Sequence, residues 1–175
     1  MPSPFDHLTG GERSAAIMAA LAPLIGRWHG AGAVAFPGIE SVAYSEESQF
    51  YSNGVDPLLH FEQRTWRLGP DGAPTSPLHW ECGFFRPLED GGIEFTNTQG
   101  NGRMEILRGT LDPEHLGEGR MLLQLESSFL GNDPRMVRTA RSFLLEGDRL
   151  HYEARMATTR IGEMRRHLDA TLRRA

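Results

Sequence analysis

With 175 residues, 39% hydrophobic and 23% charged, and a formal net charge of −5, the chain has the make-up of one folded domain able to enclose a core or a cavity. Its longest apolar run, Ala15 to Ile25, holds Pro23, is too short for a bilayer and follows no basic segment, so no membrane span or cleavable leader is expected and the cytoplasm is the default location. One cysteine, Cys82, excludes an internal disulfide and a cysteine-rich zinc pattern, and the complete absence of lysine excludes Schiff-base and P-loop chemistry.

Alanines, Ile17, Met18 and Leu21 recur at helical spacing between Gly11 and Leu21, and Pro23 with Gly26 ends the pattern. This predicts a short leading helix within an N-terminal segment, residues 1–20, ahead of a domain over 21–175. From Arg27 onward the texture changes to short runs of β-branched and aromatic residues between strong turn signals, such as "SNG", "GPDGAP", "EDGG", "QGNG" and "EGD". About ten strands are predicted, near 26–36, 41–51, 58–68, 77–86, 92–98, 102–110, 119–130, 136–146, 149–159 and 165–173. Successive hairpins without intervening helices indicate an all-β antiparallel fold. An up-and-down barrel is favoured over a sandwich because closure removes exposed edges, and about ten strands enclose more room than side chains fill.

All 18 basic residues are arginine, and ten of them lie between Arg135 and Arg174, against six acids from residue 133 onward. A locally positive C-terminal third in an acidic chain suits a small anionic ligand better than nucleic acid. No G-x-S-x-G elbow, HExxH, Walker A or strand-linked G-x-G-x-x-G is present. The glycines of "GAGAVAFPG" lead into a strand, where they permit close backbone approach instead of cradling phosphate. Of seven histidines, His7 and His115 lie in turn-like segments, and His29, His60 and His151 fall where alternation can place them outside. His79 shares a strand face with Glu81, Gly83 and Phe85, and His167 opens the last predicted strand.

The G-x-W-x-G-x-G of Gly26, Trp28, Gly30 and Gly32 is followed in order by "QRTWRL", "PLHWECGFFRP", "DGGIEF", "GRMEILRGT", "EGDRLHYEARMATT" and a closing "HLDATL". From about residue 21 to the end these segments resemble the nitrobindin family, heme-binding relatives of fatty-acid-binding-protein-like barrels. The resemblance implies a ten-stranded barrel with one heme b per chain and His167 as the axial iron ligand. It also implies that His79, Gln99 and Met156 line the heme cavity, and that the protein binds nitric oxide and isomerises peroxynitrite to nitrate at ferric heme. The small-molecule partners are then nitric oxide and peroxynitrite, with no nucleic acid or membrane and with a homodimer as a further expectation. Two departures stand out: Cys82 replaces the usual serine, and "RIGEMRRH" is one residue longer than the common loop before the ligand histidine.

A neutral imidazole is a good ligand for heme iron. Strict alternation, however, puts His167, Asp169 and Thr171 on one face and Leu168, Ala170 and Leu172 on the other, so His167 reaches the interior only from a rim or a bulge. Arg138 is the candidate partner for a heme propionate, in a group with Arg135, Arg160, Arg165 and Arg166, and His79 is the candidate hydrogen-bond donor to a bound oxyanion. Met156 shares a face with Tyr152 and Ala154 and is a candidate to pack the porphyrin. The alternatives are a non-catalytic carrier or sensor of heme or another small apolar ligand, and a fatty-acid-like carrier that never meets heme.

Overall fold

The computed structural model describes residues 3–117 and 119–175. One helix, α1 (Gly10–Leu21), runs through a 3-10 turn at Ala22–Leu24 into ten strands. These are β1 (Gly26–Phe36), β2 (Ile39–Tyr51), β3 (Leu59–Leu68), β4 (Pro74–Pro87), β5 (Ile93–Gln99), β6 (Met104–Leu111), β7 (Arg120–Gly131), β8 (Met136–Glu146), β9 (Arg149–Thr158) and β10 (Arg165–Arg174). Each strand pairs antiparallel with the next, and β1 pairs with β10 to close the barrel. The strands fall within a few residues of their predicted places. The largest difference is the start of β4 at Pro74, where register shifts against Thr65, Trp66 and Leu68 accommodate a segment whose prolines donate no ladder hydrogen bond.

The glycine-tryptophan motif closes the barrel. Trp28, Gly30, Gly32 and Val34 share the inward face of β1; Trp28 is fully buried and its indole N–H donates to Leu24 O at 2.8 Å. A Cβ on Gly30 would collide with the Thr171 carbonyl of β10, and one on Gly32 would lie 2.5 Å from the Tyr44 hydroxyl. Both positions are therefore restricted to glycine by space. Arg174 covers the Trp28 ring at 4.3 Å and donates to Ile25 O at 2.8 Å, tying the last strand to the entry of the first.

One end of the barrel is plugged. Ile17, Leu21 and Leu24 are fully buried against it, and inside lies a cluster of Phe50, Phe61, Phe85, Phe95 and Phe143. Phe85 and Phe95 stack at 4.1 Å, and Phe143 stacks on Tyr152 at 5.7 Å. Side chains thus fill this half completely, and the cavity expected from strand number is confined to the other end.

Candidate functional site

Following each strand from the plug toward the mouth, the inward residues change from apolar to polar at one level. Phe50 gives way to Ser48 and Glu46, Phe61 to Gln63 and Thr65, Phe85 to Glu81 and His79, Phe95 to Asn97 and Gln99, and Phe143 to Arg141 and Thr139. Above this polar belt is a cavity of about 200 Å³, whose wall includes Val34, Leu78, Met136, Met156, Leu168 and His167. That is below the roughly 300–1,000 Å³ of most small-molecule pockets, so a large ligand shares the mouth with solvent. A long acyl chain would have to displace the phenylalanine cluster beneath.

His167 reaches this cavity through a β-bulge. Arg166 pairs with Arg155 and Leu168 with Ala154, leaving His167 as the extra residue between them. The bulge resolves the alternation problem, since His167 and Leu168 both line the cavity. The imidazole packs edge-on against Phe36 at 5.8 Å, and its buried Nδ1 has no hydrogen-bond partner. Burial, then the charges of Arg103 and Arg141, lower its pKa from 6.5 to about 4, so the ring is neutral near pH 7 and keeps a nitrogen lone pair.

His79, Gln99 and Met156 line the same cavity. His79 Nε2 lies 3.3 Å from Glu81 Oε2, and the Gln99 amide donates to Glu105 Oε1 at 3.3 Å. Between the two carboxylates sits the buried Arg141, which donates to both Glu81 oxygens at 2.5 and 2.9 Å and to Glu105 at 3.2 Å. Full burial by itself raises the Glu81 pKa, but the Arg141 guanidinium and the His79 bond outweigh it and hold the carboxyl well below its usual range. On the opposite wall Glu46 accepts from Ser48 at 2.7 Å and from the Tyr152 hydroxyl at 2.9 Å, while Gln63 donates to the Tyr152 oxygen. Burial with no adjoining cation pushes the Glu46 carboxyl up to about 7.

Arg138 does not belong to this constellation. It pairs with Glu126 at 2.7 Å on the outer wall, just as Arg135 pairs with Asp133 and Arg165 with Glu163. The arginines that line the cavity are the buried Arg141, Arg103, itself paired with Asp133 at 2.7 Å, and the exposed Arg155, which lies 3.4 Å from Glu153. Sequence reasoning passed over Arg141, Glu105 and Glu46, although each sits in phase with an inward apolar neighbour: Phe143, Leu107 and Phe50. Among the described residues no group of three or more His, Cys, Asp or Glu side chains is placed to hold a metal ion. No helix among them is long and apolar enough to cross a membrane.

A closed ten-stranded barrel with a neutral histidine on a bulge at its mouth defines a ligand-binding barrel with one good nitrogen ligand. Comparison with known proteins makes this specific: the family described as "THAP4-like, heme-binding beta-barrel domain" matches residues 17–174. A peroxynitrite isomerase of Nocardia farcinica is 37% identical over 161 residues, covering 90% of each chain. One of Arabidopsis thaliana is 36% identical over 155 residues, covering 89% of this chain and 87% of its own. The crystal structure of Rv2717c from M. tuberculosis superposes with a TM-score of 0.78 at 32% identity, covering 90% of this chain and 96% of that one. The chain belongs to the nitrobindin family of heme-binding β-barrels.

Proposed function

We propose that this barrel holds one heme b through His167, binds nitric oxide, and isomerises peroxynitrite to nitrate. The observation that carries the reading is the bulged His167, a neutral imidazole lining a cavity with an unsatisfied ring nitrogen. Val34, Leu78, Met136, Met156 and Leu168 supply apolar surface for a porphyrin face, and Arg103 and Arg155, which would exchange their pairs with Asp133 and Glu153 for a propionate, are the candidates for the role expected of Arg138. When bound, heme would supply a ferric iron able to act as a Lewis acid toward a diatomic or an oxyanion. The chain's own part would be to hold the iron through a nitrogen of His167, keep water from the apolar side, and offer His79 and Gln99 as polar contacts to the ligand. The names of the isomerase relatives support the catalytic part of the proposal, and the single exposed Cys82 suits a reducing cytoplasm.

Self-association belongs to the same proposal. Tyr51, His60, Phe84, Thr96, Ile106 and Phe129 are register partners in turn across six strands, forming one row on the outer wall. Tyr51, Phe84 and Phe129 are exposed, so the row is a face for a second copy. Sedimentation of wild type beside Phe84→Glu tests it, a monomer in the variant alone being the expected result.

Hemin titration of the purified chain beside His167→Ala tests the site. Saturation at one heme per chain, with the histidine-type Soret band lost in the variant, is expected. Peroxynitrite decay with the loaded protein must then exceed that with free hemin and with heme-free protein. Equal rates would leave a carrier or sensor of heme, and binding unaffected by the substitution would remove His167 from the site.

A further inference from the structure

The belt beneath the cavity carries information about proton positions. Glu81 is buried, and its Oε1 takes one N–H of Arg141 while its Oε2 takes another from Arg141 and one from the Asn97 amide at 2.9 Å. A carboxylate held this way accepts hydrogen bonds and has none to donate. His79 Nε2 lies 3.3 Å from the same Oε2, so the proton of that contact belongs to Nε2. A neutral imidazole carries one ring proton, which leaves a lone pair on Nδ1, the nitrogen free to meet a ligand in the cavity. Gln99 repeats the arrangement, giving an amide proton to Glu105, and one guanidinium anchors both carboxylates. That guanidinium faces two carboxylates, so the trio leaves no positive charge over for an incoming anion.

We infer that Glu81 and Arg141 are positioning residues that place the first ring proton of His79 on Nε2, so that the singly protonated ring offers the cavity a hydrogen-bond acceptor and favours a protic ligand over a bare oxyanion. The expected donor role of His79 is thereby reversed. The ligand class is a small oxyacid bearing an O–H, or a water, and a bare anion gains nothing from this side chain unless the ring takes up a second proton. This deepens the proposed reaction, on which the ligand depends, by assigning peroxynitrite to the site in its protonated form; the tautomer depends on the fold alone.

The test is long-range proton–nitrogen NMR of histidine-labelled, heme-free protein above neutral pH, with His79 assigned by its loss in His79→Gln. Protonated-type nitrogen at Nε2 and unprotonated-type at Nδ1 is expected; the Nδ1–H form, or an exchange average, would overturn the inference. In Glu81→Ala the fixed tautomer should relax to an average, and a His79 still locked would remove Glu81 from the role. Should that variant fail to fold, the wild-type spectrum decides the tautomer by itself. With hemin bound, His79→Leu should bind azide as tightly as wild type or more so. A loss of about tenfold or more, the worth of a hydrogen bond to a charged group, would show that His79 donates to anions. A chain that takes up no hemin would sink the heme reading and leave the NMR result standing.

Discussion

The two halves of this barrel share the same ten strands and use their inward positions in opposite ways. Toward the plug those positions are Trp28, phenylalanines and leucines, packed without polar remainder against α1. Toward the mouth they hold Glu46, Glu81, Glu105 and Arg141, all buried, and atoms such as the Tyr44 hydroxyl, Thr139 Oγ1 and His167 Nδ1 lack any hydrogen-bond partner. Buried polar groups without partners destabilise a fold, and apolar burial stabilises it. The plugged half therefore supports the open half, which keeps unsatisfied groups available to a ligand.

The comparison breaks most sharply at Trp28. Truncation to alanine should cost about 3–5 kcal/mol, lowering the melting temperature by roughly 6–20 °C in a domain of this size. A variant that melts like wild type would mean that closure does not depend on the indole.

At the mouth, substitutions should act through pH. Burial lifts the Glu46 carboxyl from 4.5 to about 7, so the folded state binds this proton more tightly than the unfolded chain. Its contribution is fully present below pH 4.5 and is lost as the pH rises through 7. Glu46→Gln, which keeps the shape of the protonated acid, should be more stable than wild type above that window, by up to about 3 kcal/mol. Denaturant unfolding at several pH values reads this directly.

His167 has the opposite sign. With its pKa lowered from 6.5 to about 4, its contribution is present above 6.5 and lost as the pH falls through 4. Heme-free His167→Ala should lose that acid-side slope, a change of about 2 kcal/mol or less because the ring is only partly buried. Smallest of all is Arg138→Ala, which removes an exposed pair with Glu126; stability should shift by less than about 0.5 kcal/mol. Hemin affinity should not change, and a marked loss would return Arg138 to the site.

Much of the architecture was legible because its signals are local. Turn residues bound each hairpin, period-2 alternation marks each wall, and the Gly30 and Gly32 spacing reads as close strand approach. The misfit between the faces of His167 and Leu168 was also visible and left a rim or a bulge as the way into the interior; β10 bulges there. The resemblance to a known family carried His79, Gln99 and Met156 into the cavity, where the structure places them.

The charged belt was hidden for a physical reason. Charged residues are read as solvent-facing, so Arg141 was passed over although its phase with Phe143 sets it apart from Arg138 in the same strand. Their separation by three residues puts them on opposite faces, one paired with exposed Glu126 and the other with buried Glu81 and Glu105. By itself the sequence determined the strand order and the close approach at Gly30 and Gly32, because turns, alternation and steric fit act between neighbours along the chain or across one hairpin, while His167 was singled out only by the resemblance to a family. Only the tertiary structure decided which charges were buried, how far the cavity reached and which carboxylate His79 meets. Those depend on groups from β4, β5, β6 and β8 meeting inside a closed wall, at separations along the chain of up to 60 residues.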